Sequence, residues 1–189
     1  METKKLLFRY FLFCSLFITN TLHSQELQTV SRIGLGINGL DLAVELPIAK
    51  KITIEPSIGL GPSYDFGEGE ALTFRMDWHW TLLNPSVHLG VNGKFIYNHK
   101  SEPKLFNSGN FIGLKVKYVS KPLTDEIHYL TNTLLTNLNW GGQRNIGRHW
   151  IFSYSLGAGY GYNLDEPYGL FYPAFDLKFA YVLPYGRSN

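Results

Sequence analysis

The chain has 189 residues, 44% of them hydrophobic and 15% aromatic but only 17% charged, with 19 glycines and a formal net charge of +2. Mean hydropathy is −0.09, and after residue 20 no stretch approaches the ~20 consecutive apolar residues of a spanning helix. This excludes a helical membrane protein, a disordered chain, which needs high charge and few aromatics, and a strongly basic nucleic-acid binder. A composition rich in glycine and aromatics points instead to β structure.

The first 24 residues, METKKLLFRYFLFCSLFITNTLHS, read as an address and not as part of the fold. Lys4 and Lys5 supply a positive start, and Leu6 to Ile18 form an apolar run interrupted at Arg9. Thr19 to Ser24 close it with small and polar residues. That is the layout of a secretory signal peptide, with cleavage expected after Ser24; the run is too short for a membrane anchor. The expected organisation is a signal peptide over 1–24 and one barrel domain over 25–189. Cleavage removes Glu2, Lys4, Lys5, Arg9 and the single cysteine, Cys14, leaving 165 formally neutral residues. An exported chain without disulfides is not a small stapled domain.

The rest alternates with period two. Strands are expected at 30–37 and 40–48 on either side of Asn38-Gly39, a two-residue hairpin signal. In the second of these, Leu40, Leu42, Val44, Leu46 and Ile48 oppose Asp41, Ala43 and Glu45. After Ala49-Lys50-Lys51, the pattern continues over 52–66, and Phe66 to Ala71 reads as a loop. Residues 73–97 are too long for a simple strand. Their apolar phase is even at Trp78, Trp80 and Leu82, then odd at Val87, Leu89, Val91 and Phe95. A slip near Asn84-Pro85 predicts a β-bulge, where proline is tolerated. Beyond a loop at 98–107, strands are expected at 108–119, 129–143, 148–162 and 173–184. The connections are 120–127, 145–147 and 164–172. Along 148–162, Trp150, Phe152, Tyr154, Leu156, Tyr160 and Tyr162 oppose Ser153, Ser155, Gly157, Gly159 and Gly161. The result is eight strands, each with one apolar face and one small or polar face.

An eight-stranded closed barrel has an interior barely wide enough for side chains. The aromatic face does not fit there, whereas Gly, Ser, Ala and a few charges do. The apolar face then points outward and needs lipid around it, where only a closed barrel satisfies every backbone group. The sequence thus predicts an all-β fold, an eight-stranded antiparallel transmembrane β-barrel with short connections. The soluble alternative, a lipocalin-like barrel with its apolar face inside, overfills its cavity with rings. An even strand number puts both termini on one side, the periplasm for an exported chain. Aromatics then fall into two girdles, as at the interfaces of membrane barrels. Tyr64, Phe66, Trp78, Trp80, Tyr129, Tyr160 and Tyr162 lie toward the outer ends. Tyr97, Trp140, Trp150, Tyr181 and Tyr185 lie toward the inner ends.

Four stretches carry a family likeness: His23-Ser24-Gln25, the run Gly39 to Leu46 (GLDLAVEL) before Lys50-Lys51, Asn110 to Val116 (NFIGLKV), and Leu156 to Gly161 (LGAGYG). On these the chain resembles the small outer-membrane β-barrel proteins of the Bacteroidota, and broadly the OmpX-type eight-stranded barrels. The likeness covers the whole mature chain and rests on pattern. It implies a Gram-negative outer-membrane location and a monomer. The partners implied are outer-membrane lipid, lipopolysaccharide and the barrel-insertion machinery, without nucleic acid. Such barrels usually end on an aromatic residue, whereas here Gly186-Arg187-Ser188-Asn189 follows Tyr185.

Chemistry-bearing motifs are sparse. Gly34-Leu35-Gly36-Ile37-Asn38-Gly39 matches G-x-G-x-x-G, but a dinucleotide site needs a helix next, and alternation and Pro47 follow instead. The expected lumen face sets Asp41, Glu45, Glu55 and Asp176 against Lys94, Lys115, Lys117 and Lys178. A lone charge in a nearly dry lumen is costly, so these four acids and four bases are expected to pair across it, without stable conductance. Arg75, Asp77 and His79 share one face, and an Asp can orient a His as base; no serine stands at a usable spacing. His149 with Ser153 and Ser155 is aligned by alternation alone. Histidines 79, 88, 99, 128 and 149 lack metal-ligand spacing. No catalytic, cofactor or metal residue is expected. The reading is a structural or interaction protein of the envelope, not an enzyme; the alternatives are a narrow transport pore and a lipid-modifying outer-membrane enzyme.

Overall fold

In the computed structural model the described residues are 27–66, 76–79, 85–98, 106–123, 130–166 and 168–183, with only the backbone course described for 65–66 and 76–79. Among them are ten strands: β1 (Val30–Gly36), β2 (Gly39–Ala49), β3 (Ile52–Gly61), β4 (Ser63–Phe66), β5 (Met76–His79), β6 (Ser86–Ile96), β7 (Gly109–Pro122), β8 (Thr133–Ile146), β9 (Trp150–Asn163) and β10 (Tyr168–Val182). Eight of these close an antiparallel barrel in the order β1-β10-β9-β8-β7-β6-β3-β2. The seam joins first and last strands, from Arg32 opposite Val182 to Gly36 opposite Lys178. The all-β class and the eight-stranded closed barrel are as the alternation predicts.

The third and fourth expected strands are divided differently. The run 52–66 breaks at Pro62, which has no N–H to donate to a ladder, and β4 leaves the barrel to pair with β5 alone. The two phases in 73–97 therefore belong to two sheets, β5 outside the barrel and β6 within it. A register shift does follow, between Ser86 and His88, where Pro122 and Val119 are the partners. The extra residue is thus on β7, while Asn84 lies outside the described residues. A second shift, between Pro47 and Ala49, puts that proline where the ladder is already interrupted.

Local chemistry sets the turns. Gly39 has φ 104°, a region open to glycine without steric cost, and a Cβ there would run into the Leu60 carbonyl. At the other hairpin, Asn163 Oδ1 accepts from the N–H groups of Asp165 (2.9 Å) and Glu166 (3.0 Å). This side-chain turn is tighter than the open loop expected over 164–172, and Tyr168 to Tyr172 instead pair with Asn163 to Gly159.

The outer wall is apolar. Leu40, Leu42, Ile112, Leu114, Phe175 and Phe179 are exposed there, and Leu138 is 61% exposed. Tyr97, Trp140, Trp150, Tyr160, Tyr162 and Tyr181 also stand on this surface. Trp140 Nε1 donates to Tyr97 Oη at 2.9 Å, and Trp150 meets Tyr181 edge-on at 5.3 Å. Not every glycine faces inward, as the alternation suggested: Gly142 lies beneath the Tyr154 ring on the outer wall.

Tyr64 corrects the girdle assignment. It is 4% exposed and packs inside the far end with Val119, Leu135, Tyr172 and Ala174. The reason is that β4 departs from the barrel line at Pro62 and turns its tyrosine inward. The backbone of Trp78 pairs with that of Tyr64. Trp80, Tyr129, Tyr185, the side chain of Phe66 and the signal segment 1–24 lie outside the described residues.

Candidate functional site

The opposite phase of each strand fills the lumen, which divides into three zones. At the termini end, Val30, Ile151, Ala180 and Val182 form one apolar cluster, and Leu27, Ile96 and Phe111 another. The far end holds the Tyr64 cluster. Between them lies the charged zone. The two apolar ends are a feature the alternation does not reveal, because it reports which face turns inward and not what each level contains.

The centre of the charged zone is a five-residue network. Arg32 from β1 and Lys94 from β6 both pair with Glu55 of β3. Glu45 of β2 receives Arg32 Nη1 (3.4 Å), Lys94 Nζ (3.5 Å), Thr53 Oγ1 (2.9 Å) and Gln143 Nε2 (3.1 Å). Gln143, on β8 across the lumen, accepts from Arg32 and Lys94, each at 3.2 Å. Arg32 and Glu45 are 2% and 0% exposed. Two cations, two carboxylates and one amide thus neutralise one another in a place water hardly reaches, which is the condition for burying charge.

Below this network the barrel is latched. The Gln28 N–H donates to Asn107 Oδ1 (2.7 Å), while Asn107 Nδ2 donates to the Gln28 carbonyl (2.8 Å). Asn107 is fully buried, and its φ of 37° is held by this pair of bonds and by Gln143 Nε2 donating to its carbonyl at 3.2 Å. The chain entering β1 is thereby tied to the segment entering β7, on the opposite wall.

Above the network, Lys178 pairs with Asp41, and Lys115 reaches Asp176 at 3.4 Å. A cavity of about 280 Å³ opens here, lined among others by Asn92, Lys115, Lys117, Asn137, Asp176 and Lys178. Lys117 stands over the Tyr64 ring at 5.3 Å, within cation–π range.

All eight residues expected on the lumen face, Asp41, Glu45, Glu55, Lys94, Lys115, Lys117, Asp176 and Lys178, point into the lumen. The expected balance of four against four does not hold, because Arg32 adds a fifth cation. Its signal was available: Ile33 and Leu35 take the outward phase, so Arg32 falls with Gly34 and Gly36 on the inward one. Gln143 was likewise in phase with Asn139. His88 is also buried inside.

Other candidate constellations do not assemble. The His149 ring stacks on Tyr181 at 5.8 Å on the wall, whereas Ser153 and Ser155 line the cavity. For Asp77 and His79 only backbone pairing, with Asp65 and Ser63, is described, and Arg75 lies outside the described residues. Among the described residues no group of three His, Cys, Asp or Glu side chains is placed to hold a metal.

Fold and site together define a class, a closed eight-stranded barrel that is apolar without and charged within. Scans against protein-family models, curated proteins and solved structures match nothing.

Proposed function

We propose that this chain is an outer-membrane β-barrel protein of the Gram-negative envelope, exported by its signal segment and related to the OmpX-like barrels of the Bacteroidota. The observation that carries the reading is the inversion of the wall, with leucine, isoleucine, phenylalanine and tryptophan exposed all round while arginine, lysine and glutamate are buried. In water such a surface is an aggregation hazard; in lipid it is the expected one. Seven barrel strands run 10 to 15 residues, and a tilted strand needs about 9–11 to cross a bilayer. The exposed Trp140–Tyr97 and Trp150–Tyr181 pairs suit an interfacial girdle.

In this reading the protein is a monomer that contacts outer-membrane lipid and lipopolysaccharide and reaches its place through the barrel-insertion machinery. Its role is structural or interactive and not enzymatic. The latch at Gln28–Asn107, the apolar clusters and the central network support a lumen without continuous passage. Two measurements test this. Cell fractionation with heat-modifiable gel mobility should place a compact, boilable barrel in the outer membrane; a soluble, unmodified band would refute the membrane reading. Planar-bilayer recording should give no reproducible open steps, and regular steps would overturn the closed lumen alone.

A further inference from the structure

The cavity between the central network and the far-end cluster is chemically incomplete. Lys178 has Asp41 and Lys115 has Asp176. Lys117, only 5% exposed, has no carboxylate at ion-pair distance among the described residues and meets the face of Tyr64. Across the described lumen, Arg32, Lys94, Lys115, Lys117 and Lys178 outnumber Asp41, Glu45, Glu55 and Asp176 by one. Among the described residues, two buried acceptors in the same cavity wall, Asn92 Oδ1 and Asp176 Oδ1, have no hydrogen-bond partner.

Each defect specifies what would repair it. A buried ammonium calls for an anion, and an orphaned carbonyl or carboxylate oxygen calls for an O–H or N–H donor. Leu135 and Ala174 add apolar wall beside them. A volume of about 280 Å³ falls just below the ~300–1,000 Å³ of small-molecule pockets, so the occupant is of monosaccharide size. The latch and apolar clusters at the termini end make the cavity a place to hold a solute and not a passage.

We propose that the lumen cavity binds a small polyhydroxylated monocarboxylate, a sugar acid, with its carboxylate at Lys117 and Lys115 and its hydroxyls donating to Asp176 and Asn92. The site belongs to the barrel itself, whatever surrounds the wall. The test is isothermal titration of the purified full chain, folded in detergent micelles, with D-glucuronate, D-glucose and inorganic phosphate as separate probes. Glucuronate should bind about tenfold or more tighter than either of the others. Lys117→Met should weaken it by about tenfold or more, while Lys117→Arg, which keeps the charge, should stay within about threefold. Glucose or phosphate binding as well as glucuronate, an unchanged Lys117→Met, or no glucuronate binding by the folded chain would each overturn the proposal. If Lys117→Met does not fold, transferred nuclear Overhauser effects on the natural chain decide. Contacts from glucuronate to the Tyr64 and Tyr172 rings uphold the site, and contacts restricted to the outer wall overturn it. Failure of the membrane reading would appear in fractionation and leave this titration intact.

Discussion

Glu55 sits between Arg32 and Lys94, and all three side chains are buried. Breaking a buried ion pair from one side leaves an uncompensated charge, at a cost of about 3–5 kcal/mol. Glu55→Gln should therefore lower the unfolding free energy of the barrel by about that amount, read from the denaturant midpoint. Lys94→Gln added to it should recover part of the loss, since the two residues couple; an unmoved midpoint for the single variant would contradict the network. At the barrel surface Asp165 accepts from the Asn132 N–H at 2.8 Å and lies 3.3 Å from Lys121 Nζ. These donors, the Asn132 backbone first, hold its carboxyl below the usual 3.8. A depressed folded value means the contribution is present above the unfolded value and fades as pH falls through the folded one. The Asp165 carboxyl resonance should titrate below 3.8, with the Asn132 amide following it and losing that response in Asp165→Asn. Exposure keeps the stability effect small. At this scale the sequence was legible wherever a charge interrupted an apolar alternation, as at Asp41 and Lys178. Tyr64 escaped because its direction depends on where β4 goes after Pro62.

Alternation located β1, β2 and β9 nearly residue for residue, since each combines a clear period with a strong turn signal. It misjudged the β4–β5 excursion, because period two is the same in a barrel strand and in a hairpin beyond it. The Gly61-Pro62 pair was the available mark of that break. Glycine positions carry the element-scale prediction. A Cβ on Gly39 would meet the Leu60 carbonyl at a backbone angle unsuited to L residues. Gly39→Ala should cost about 1 kcal/mol or more, seen as a lowered midpoint in the same unfolding experiment. Gly147 is also at positive φ, but a methyl group there would meet nothing within 4 Å, so the same change should cost less. Equal losses would mean that the close approach at Gly39 is not what matters.

For the molecule as a whole, the closed all-β fold followed from composition and phase, and the lumen from the width of an eight-stranded ring. What surrounds the wall is a separate question with its own measurement. Leu138 is exposed near the middle of β8. In a membrane barrel Leu138→Arg should cost about 2–4 kcal/mol at mid-depth, measured by unfolding from lipid vesicles. In a water-surrounded barrel the same exposed change would be close to neutral. The size of that loss separates the two settings without reference to cell biology.

The layout of the central network has a consequence for how the ring is assembled. Arg32, Glu45, Glu55 and Lys94 come from β1, β2, β3 and β6, four strands that neighbour one another in the sheet. They can neutralise each other as soon as the first half of the chain curls, before the last strand exists. Asp41 and Lys178, by contrast, sit on β2 and β10 and meet only once the seam is sewn. Lys115 on β7 and Asp176 on β10 likewise wait for the final strand. The central network is thus electrically self-sufficient before the circle closes, whereas Asp41 on an early strand and Asp176 and Lys178 on the last find their partners only on its completion.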